Sequence, residues 1–497
     1  MAASTTHQFA DFLASTRYDD LPGEVQHEAV RILFDTMLCA IAAQGAPGHQ
    51  IVSNTLFAQD GGTGSATILG QRRQASPSVA AFVNATAANA LDLDDNLLYH
   101  CHIANTVIAA ALAAAEETDA SGTDLLTAVA VGYEAAARVT LAMPGIHYVE
   151  NGELKEWHDP WGYSYNTIGG AVAAGKLYGV DGVGMRHLLG LAAYASPVPS
   201  GTRASSLGRH PMSKYGAYGW QASSAVFSAV LATNGYTADD QVFDGPFNYW
   251  RMLGAYSFEP STLTRELGSH WWLPMTSYKI APAGTWMRPA LWALRPLLAE
   301  PGFDPGQVEG IEIHARPLRK GGEGANVFAS GRPTSYNDTQ VSYRYLVAAT
   351  VLGISPDRWQ DPDVFHSEAL NALIDKTEII ADPEADELLM RDVLKFPHRA
   401  LGARTRVRVR LAGGRTFEHE SAYGDGDPFS PETHVTDEKL RRKFAMFAAP
   451  HLPDGPGADA IADRLWALAD EGARVRDVMA EVRAASVAVD AELHPVE

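Results

Sequence analysis

The chain is 497 residues long, with 39 Lys and Arg against 59 Asp and Glu, a formal net charge of −20 with histidines neutral. Phosphate backbones and anionic membranes are bound by clustered cations, so this balance argues against a nucleic-acid or lipid-surface binder, and any anionic ligand must be met by a local pocket of positive charge. Hydrophobic residues make up 46% and charged residues 20%, an ordinary globular composition that excludes disorder throughout. The two cysteines, Cys39 and Cys101, supply neither a disulfide framework nor a four-cysteine zinc or iron–sulfur site. An iron–sulfur dehydratase is therefore excluded. The first residues lack a basic region followed by a long apolar run, and no stretch approaches the ~18 apolar residues that span a bilayer. The expectation is a soluble, cytoplasmic protein.

From the start to about residue 272 the chain is alanine-rich and reads repeatedly at helical period. After Pro22, which suits a first helical turn, Val25, Ala29, Ile32, Leu33, Thr36, Met37 and Ala40 fall on one stripe, and Gly45 closes it. Ser76-Pro77 opens a second helix. A third, over 104–117, is apolar nearly all round, which places it inside a bundle. Further helices are expected at 123–141, 169–178 and 218–234. The pattern then changes: Ile311, Ile313 and Ala315 alternate, as do Val407, Val409 and Leu411, the latter running into Gly413-Gly414 and Arg415-Thr416-Phe417 as a β-hairpin with a primed two-residue turn. Residues 341–352 look helical, and helical character returns at 458–469 and 471–485. The fold class is mainly α: a large discontinuous helical domain formed by 1–272 and 431–497, with a smaller α+β lid domain, 273–430, inserted between them.

Three polar stretches stand out. Asp92, Asp94, Asp95, His100, Cys101 and His102 lie between two alanine-rich helices, where such groups are costly unless paired. An acidic helix cap followed by a solvated loop is the plain reading. A catalytic cluster is the other, and a metal set of Asp94, His100, Cys101 and His102 is disfavoured because adjacent His-Cys-His side chains diverge. Second, Arg203, Arg209 and Lys214 precede the helix at 218 and together could hold a small anion. Third, Lys279 sits at the point where composition switches, as a snorkelling surface residue or as a lid cation. An aromatic stretch from Trp157 through His158 to Tyr163 lies in a connecting loop. No GxGxxG follows a strand, so a dinucleotide fold has no support.

At these residues a resemblance emerges. The run Leu91-Asp92-Leu93-Asp94-Asp95 followed by His102 resembles the MmgE/PrpD family, as do Gly132-Tyr133-Glu134 with Arg138, Lys214 before its helix, Tyr278-Lys279 with Pro282-Ala283, and 341–345. That family includes 2-methylcitrate dehydratase, cis-aconitate decarboxylase and iminodisuccinate epimerase. The resemblance implies a homodimer whose active site lies between helical domain and lid, lined by Asp92, Asn96, His102, Lys214, Lys279 and Tyr345. The chain departs from the family at Asn96, commonly threonine, at Ile103, which replaces a proline, and at Gly284, where the decarboxylase has histidine. His158 is the nearest counterpart of a loop imidazole.

The implied chemistry removes a proton next to a carboxylate, with cations in a dry cleft stabilising the charge that develops. Lys214 and Lys279 are the expected carboxylate binders, with Arg203 or Arg209 as additions. His102 is the acid/base, since its ordinary pKa of about 6.5 lets it act in both directions. Asp92 or Asp94 orients it or serves as base, Tyr345 donates to a leaving hydroxyl, and Asn96 and His158 contact substrate. No metal or organic cofactor is required. The expected activity is a hydratase or dehydratase of a small di- or tricarboxylate. Epimerisation, decarboxylation and an inactive carboxylate-binding homologue are the alternatives.

Overall fold

A computed structural model describes residues 4–156, 161–205, 210–214, 216–316, 331–395, 399–454 and 457–488. The protein is mainly α. Its helices include α1 (Gly23–Ala42), α2 (Pro77–Ala90), α3 (Ala104–Thr118), α4 (Gly122–Leu141), α5 (Asn166–Leu177), α6 (Gly182–Tyr194) and α7 (Tyr218–Thr233). Later come α8 (Arg288–Leu298), α9 (Tyr343–Val351), α10 (Asp437–Phe447) and α11 (Val475–Ala485).

The alanine and glycine content of the first half is what lets these helices approach so closely. All but the last two residues of α3 are buried. Where α4 crosses α5, Gly132 and Gly169 face each other: a Cβ on Gly132 would lie 2.7 Å from the Gly169 carbonyl oxygen, and one on Gly169 would lie 2.6 Å from that of Gly132. Any larger residue would push apart a contact packed at crystal-like density. Arg138 on α4 is equally specific. Its Nε donates to Glu134 at 2.6 Å and its guanidinium also reaches the carbonyls of Thr262, Arg265 and His270, so a buried ion pair ties down the segment leading out of the helical region.

Two apolar cores follow from the pattern. One runs from Phe9 to Tyr278 and resumes at Val435 through Ala485, so both ends of the chain build it. The other takes residues from Ala283 to Leu411. Its sheet has four strands, β3 (Val308–Ala315), β4 (Thr377–Ala381), β5 (Thr405–Leu411) and β6 (Thr416–Ser421), in the order β6-β5-β3-β4. β3 pairs in parallel with β4 and antiparallel with β5, with Ile311 opposite Thr377 and Val409. A bulge between Val308 and Gly310 brings both Val308 and Ile311 to the buried face of the sheet, whose other strands pack on α8 through β5 and β6 and on α9 through β4.

The β5–β6 connection differs from the two-residue turn expected of Gly413-Gly414. Leu411 N bonds Arg415 O at 2.8 Å, which leaves three residues in the loop, and Gly414 N closes back on Leu411 O at 3.1 Å. Both glycines have φ of +83°, so the pair supplies two left-handed residues inside a longer turn. The last helix also starts later than its periodicity suggests, at Val475, because Arg474 is held in a bridge with Ser121. Among the described residues no single helix is long and apolar enough to cross a membrane.

Candidate active site

The site grows from the connection between α2 and α3. After α2 ends, Asp92 N bonds Asn89 O at 3.0 Å and Asp92 takes φ of +54°, turning the chain inward. The short strand β1 (Asn96–Leu97) then pairs with β2 (Thr276–Ser277), Asn96 opposite Ser277, and so brings the Lys279 segment alongside from 180 residues away. Asp95 caps α3 from a distance: its carboxylate accepts from Ile103 N and Ala104 N, both at 3.2 Å, and from the Tyr133 hydroxyl. The capping role foreseen for this acidic run is therefore present, but the loop is not solvated. Asp92, Asp94, Asp95, Asn96, His100 and His102 are all buried.

Within this loop the charges meet. Lys279, fully buried, donates to Asp92 Oδ1, and Lys214 Nζ lies 4.0 Å from the same oxygen while bonding Asn89 O at 2.7 Å. His102 Nδ1 is 3.3 Å from Asp94 Oδ2. Asp94 also accepts from Asn89 Nδ2 at 3.0 and 3.1 Å and from Asn105 Nδ2 at 3.0 Å. The His102 carbonyl is held by Asn166 Nδ2 at 2.5 Å, and the Tyr163 ring stands edge-on to the imidazole at 5.7 Å.

The electrostatics follow from this packing. Burial pushes Asp92 up, but the nearby Lys214, Lys279 and His102 charges together hold it well below the usual carboxylate range. Asp94 is likewise driven up by burial and brought below its usual value by His102. Asp95 goes the other way: burial, then the Asp94 charge beside it, push it up to about 8. Burial pulls Lys214 down to about 8 against the pull of Asp92 and Asp94. His100 is held well below its usual value by burial, with Arg399 and His147 adding to the effect.

The structure thus gathers Asp92, Asp94, His102, Lys214 and Lys279 around one point. Asn96 follows Asp92 and Asp94 in the same loop, its Oδ1 buried and without a hydrogen-bond partner among the described residues. Lys279 is no snorkelling surface residue. Tyr345 lies in the second core, and its hydroxyl donates to the Trp359 carbonyl rather than to a group of this cluster. Arg203 is exposed on the short helix Gly201–Ser205, unlike the buried lysines. Arg209 and His158 lie outside the described residues.

A metal could be held by Asp92, Asp94 and His102, whose ligand atoms lie within 4.8 Å of one another. His100 and Cys101, the other ligands considered from the sequence, turn away, His100 Nε2 to Thr140 Oγ1 at 3.2 Å and the Cys101 thiol toward the Leu97 carbonyl. Two ammonium groups already supply the positive charge these carboxylates need, and a cation placed among them would be repelled by both.

Residues invisible as site members in the sequence support this cluster. Lys443 of α10, fully buried, donates to Asp35 on α1 at 2.6 Å and to the carbonyl of Leu93, between Asp92 and Asp94, at 2.9 Å. Asp427, also fully buried, accepts from Tyr99, from Ser277 on β2 and from Arg288 on α8, joining the two cores beside the site.

Fold and site together define a mainly helical protein whose polar centre is a buried imidazole–carboxylate–ammonium cluster. Comparison with known proteins gives this class its family. Residues 7–260 match the MmgE/PrpD N-terminal domain and residues 282–468 the MmgE/PrpD C-terminal domain, and the chain belongs to the MmgE/PrpD family. It is similar to a cis-aconitate decarboxylase-like protein, oryM, of Aspergillus oryzae, 25% identical over 90% of this chain and 91% of that one. The cis-aconitate decarboxylase of Homo sapiens is 24% identical over 91% of this chain and 89% of its own length. That of Aspergillus terreus is 28% identical over 54% and 55%.

Proposed function

We infer that the protein is a cofactor-independent lyase that acts on a small di- or tricarboxylate by moving a proton on the carbon next to a carboxylate. The observation that carries this reading is the placing of Lys214 and Lys279 beside the His102–Asp94 pair in a buried cluster. An ammonium carries three donors, so Lys279 keeps capacity for a substrate carboxylate after bonding Asp92. Asp94 lies against Nδ1 and orients the ring, and Nε2 of His102 is the nitrogen assigned to take or return the proton. The lysine charges stabilise the negative charge that develops as the C–H bond breaks, an effect strongest where water is excluded. The second unit, with its own core, closes over the site as a lid.

Decarboxylation of cis-aconitate is the first reaction to test, because the relatives above bear that name. Dehydration of a hydroxytricarboxylate is the second reading. It is favoured by Gly284, which offers no side chain at a position that, by the family resemblance, is histidine in the decarboxylase. Proton NMR in heavy water of the purified protein with cis-aconitate, citrate or 2-methylcitrate separates the outcomes. Loss of carbon dioxide, loss of water, or deuterium exchange without either identifies decarboxylase, dehydratase or epimerase, whereas a panel left wholly unchanged rejects the lyase.

The lysine geometry also sets a pH limb. Lys214 binds an anion only while protonated, so kcat/KM is expected to fall as pH rises through about 8, the value to which burial lowers this group. The Lys214→Arg variant, which keeps its charge at all these pH values, should lose the limb even where its rate is lower. A wild-type profile flat to pH 10 would contradict the assignment.

For the assembled state we propose a homodimer. Trp220, Phe227 and Leu231 form one stripe along α7 and are 64%, 57% and 44% exposed, an apolar face suited to a second copy of the same helix. Sedimentation should give about twice the 53.4 kDa of the chain, and the Trp220→Ser, Phe227→Ser double variant should sediment as a monomer.

A further inference from the structure

Three stretches of chain, far apart in sequence, carry Asp92, Lys214 and Lys279, and two of them do so in a conformation that does not hold itself. Asp92 has φ of +54° and Lys214 of +51°, left-handed backbone that a non-glycine residue keeps only when its surroundings over-determine it. One short turn in the second unit, residues 337–340, touches all three stretches. Asn337 Nδ2 donates to Pro211 O at 2.9 Å, the same carbonyl that accepts from Lys214 N at 2.9 Å and closes the lysine's turn. Asp338 Oδ1 accepts from His210 N at 3.3 Å, and its other oxygen is anchored by Thr334. Gln340, fully buried, donates from Nε2 to Ala90 O at 2.8 Å, inside the 89–92 turn that sets Asp92, while its own carbonyl accepts from Gly284 N at 2.7 Å, five residues after Lys279.

We propose that the 337–340 turn is a positioning element: Asn337, Asp338 and Gln340 hold the turns of Lys214 and Asp92 and the segment after Lys279 in one mutual register, so that docking of the second unit on the helical one assembles the charged cluster. The physical reason lies in where the bonds go. Each ends on a backbone group of a site turn and none on a site side chain, so the turn leaves the side chains to the substrate and fixes only the places from which they reach. A half-buried carbonyl such as that of Ala90 or Pro211 also loses a partner when the amide is removed, and water that enters to replace it would relax the turn. Lys214 is faced by Asp92, Asp94, Lys279, His210 and the Asn89 carbonyl. Loosening its turn would hydrate the ammonium and return it toward an ordinary lysine.

The test uses the full chain with Gln340→Met, which keeps the bulk, and Asn337→Leu at a half-buried position. Amide hydrogen exchange read by mass spectrometry should quicken about tenfold in peptides spanning 88–98 and 210–218 in both variants, with the remainder of the protein as in wild type. The activity arm rests on the lyase reading above. On whichever tricarboxylate the wild type converts, kcat/KM should drop about tenfold and its high-pH limb should move upward, a displacement that mere loss of folded protein does not produce. Exchange unchanged in both peptides overturns the proposal, as does a limb that stays in place. If the wild type converts none of the panel, the lyase reading fails alone, and the exchange experiment still decides the role of the turn.

Discussion

Replacement of His102 by alanine is expected to lower turnover on the order of 10²- to 10⁴-fold, the range for removing a general acid/base, with little change in thermal stability. Alanine keeps the carbonyl that Asn166 bonds. The imidazole in turn is needed for its place: Nδ1 against Asp94, with the Tyr163 edge at its side. Asp94→Asn is the informative companion. Asn89 and Asn105 both point amide donors at residue 94, so an amide there loses acceptors while keeping its shape, and the ring loses the carboxylate that orients it. Rates measured beside a melting curve separate chemistry from folding, and wild-type turnover in His102→Ala would remove the histidine from the mechanism.

The second large effect is one of stability. Lys443→Met leaves the fully buried Asp35 carboxylate without its cation, and breaking a buried pair from one side costs about 3–5 kcal/mol. The double variant Asp35→Leu, Lys443→Met removes both charges and should recover most of that loss, because an apolar pair of similar volume avoids the desolvation of either ion. Chemical denaturation of the three proteins measures the cycle. Activity should not recover with stability, since the Leu93 carbonyl between Asp92 and Asp94 stays without its donor in both variants. A single variant as stable as wild type would show that water reaches Asp35.

How much of this was legible beforehand differs by residue. The helices α3 and α4 could be read because apolar periodicity is a local signal carried by fifteen or twenty successive side chains. The polar run from Asp92 to His102 was conspicuous because so many ionisable groups between buried helices demand partners. Its partners were not visible. Tyr345 illustrates the limit: a tyrosine in a helix satisfies its hydroxyl with whatever acceptor the fold offers, and here that is the Trp359 carbonyl in the second core.

Asp35 and Lys443 are 408 residues apart and Gln340 lies 250 residues from Ala90, separations at which no spacing rule operates. Composition and periodicity alone settle that this is a predominantly helical chain without a disulfide framework and with an unusual concentration of charge ahead of its third long buried helix, since these properties reside in neighbouring residues. Which cations stand against that charge, which tyrosine stays in a core, and which turn holds the lysine segments together were settled by the packing of distant segments. Burial and hydrogen-bond partnership are relations between parts of the chain that meet only once it has folded.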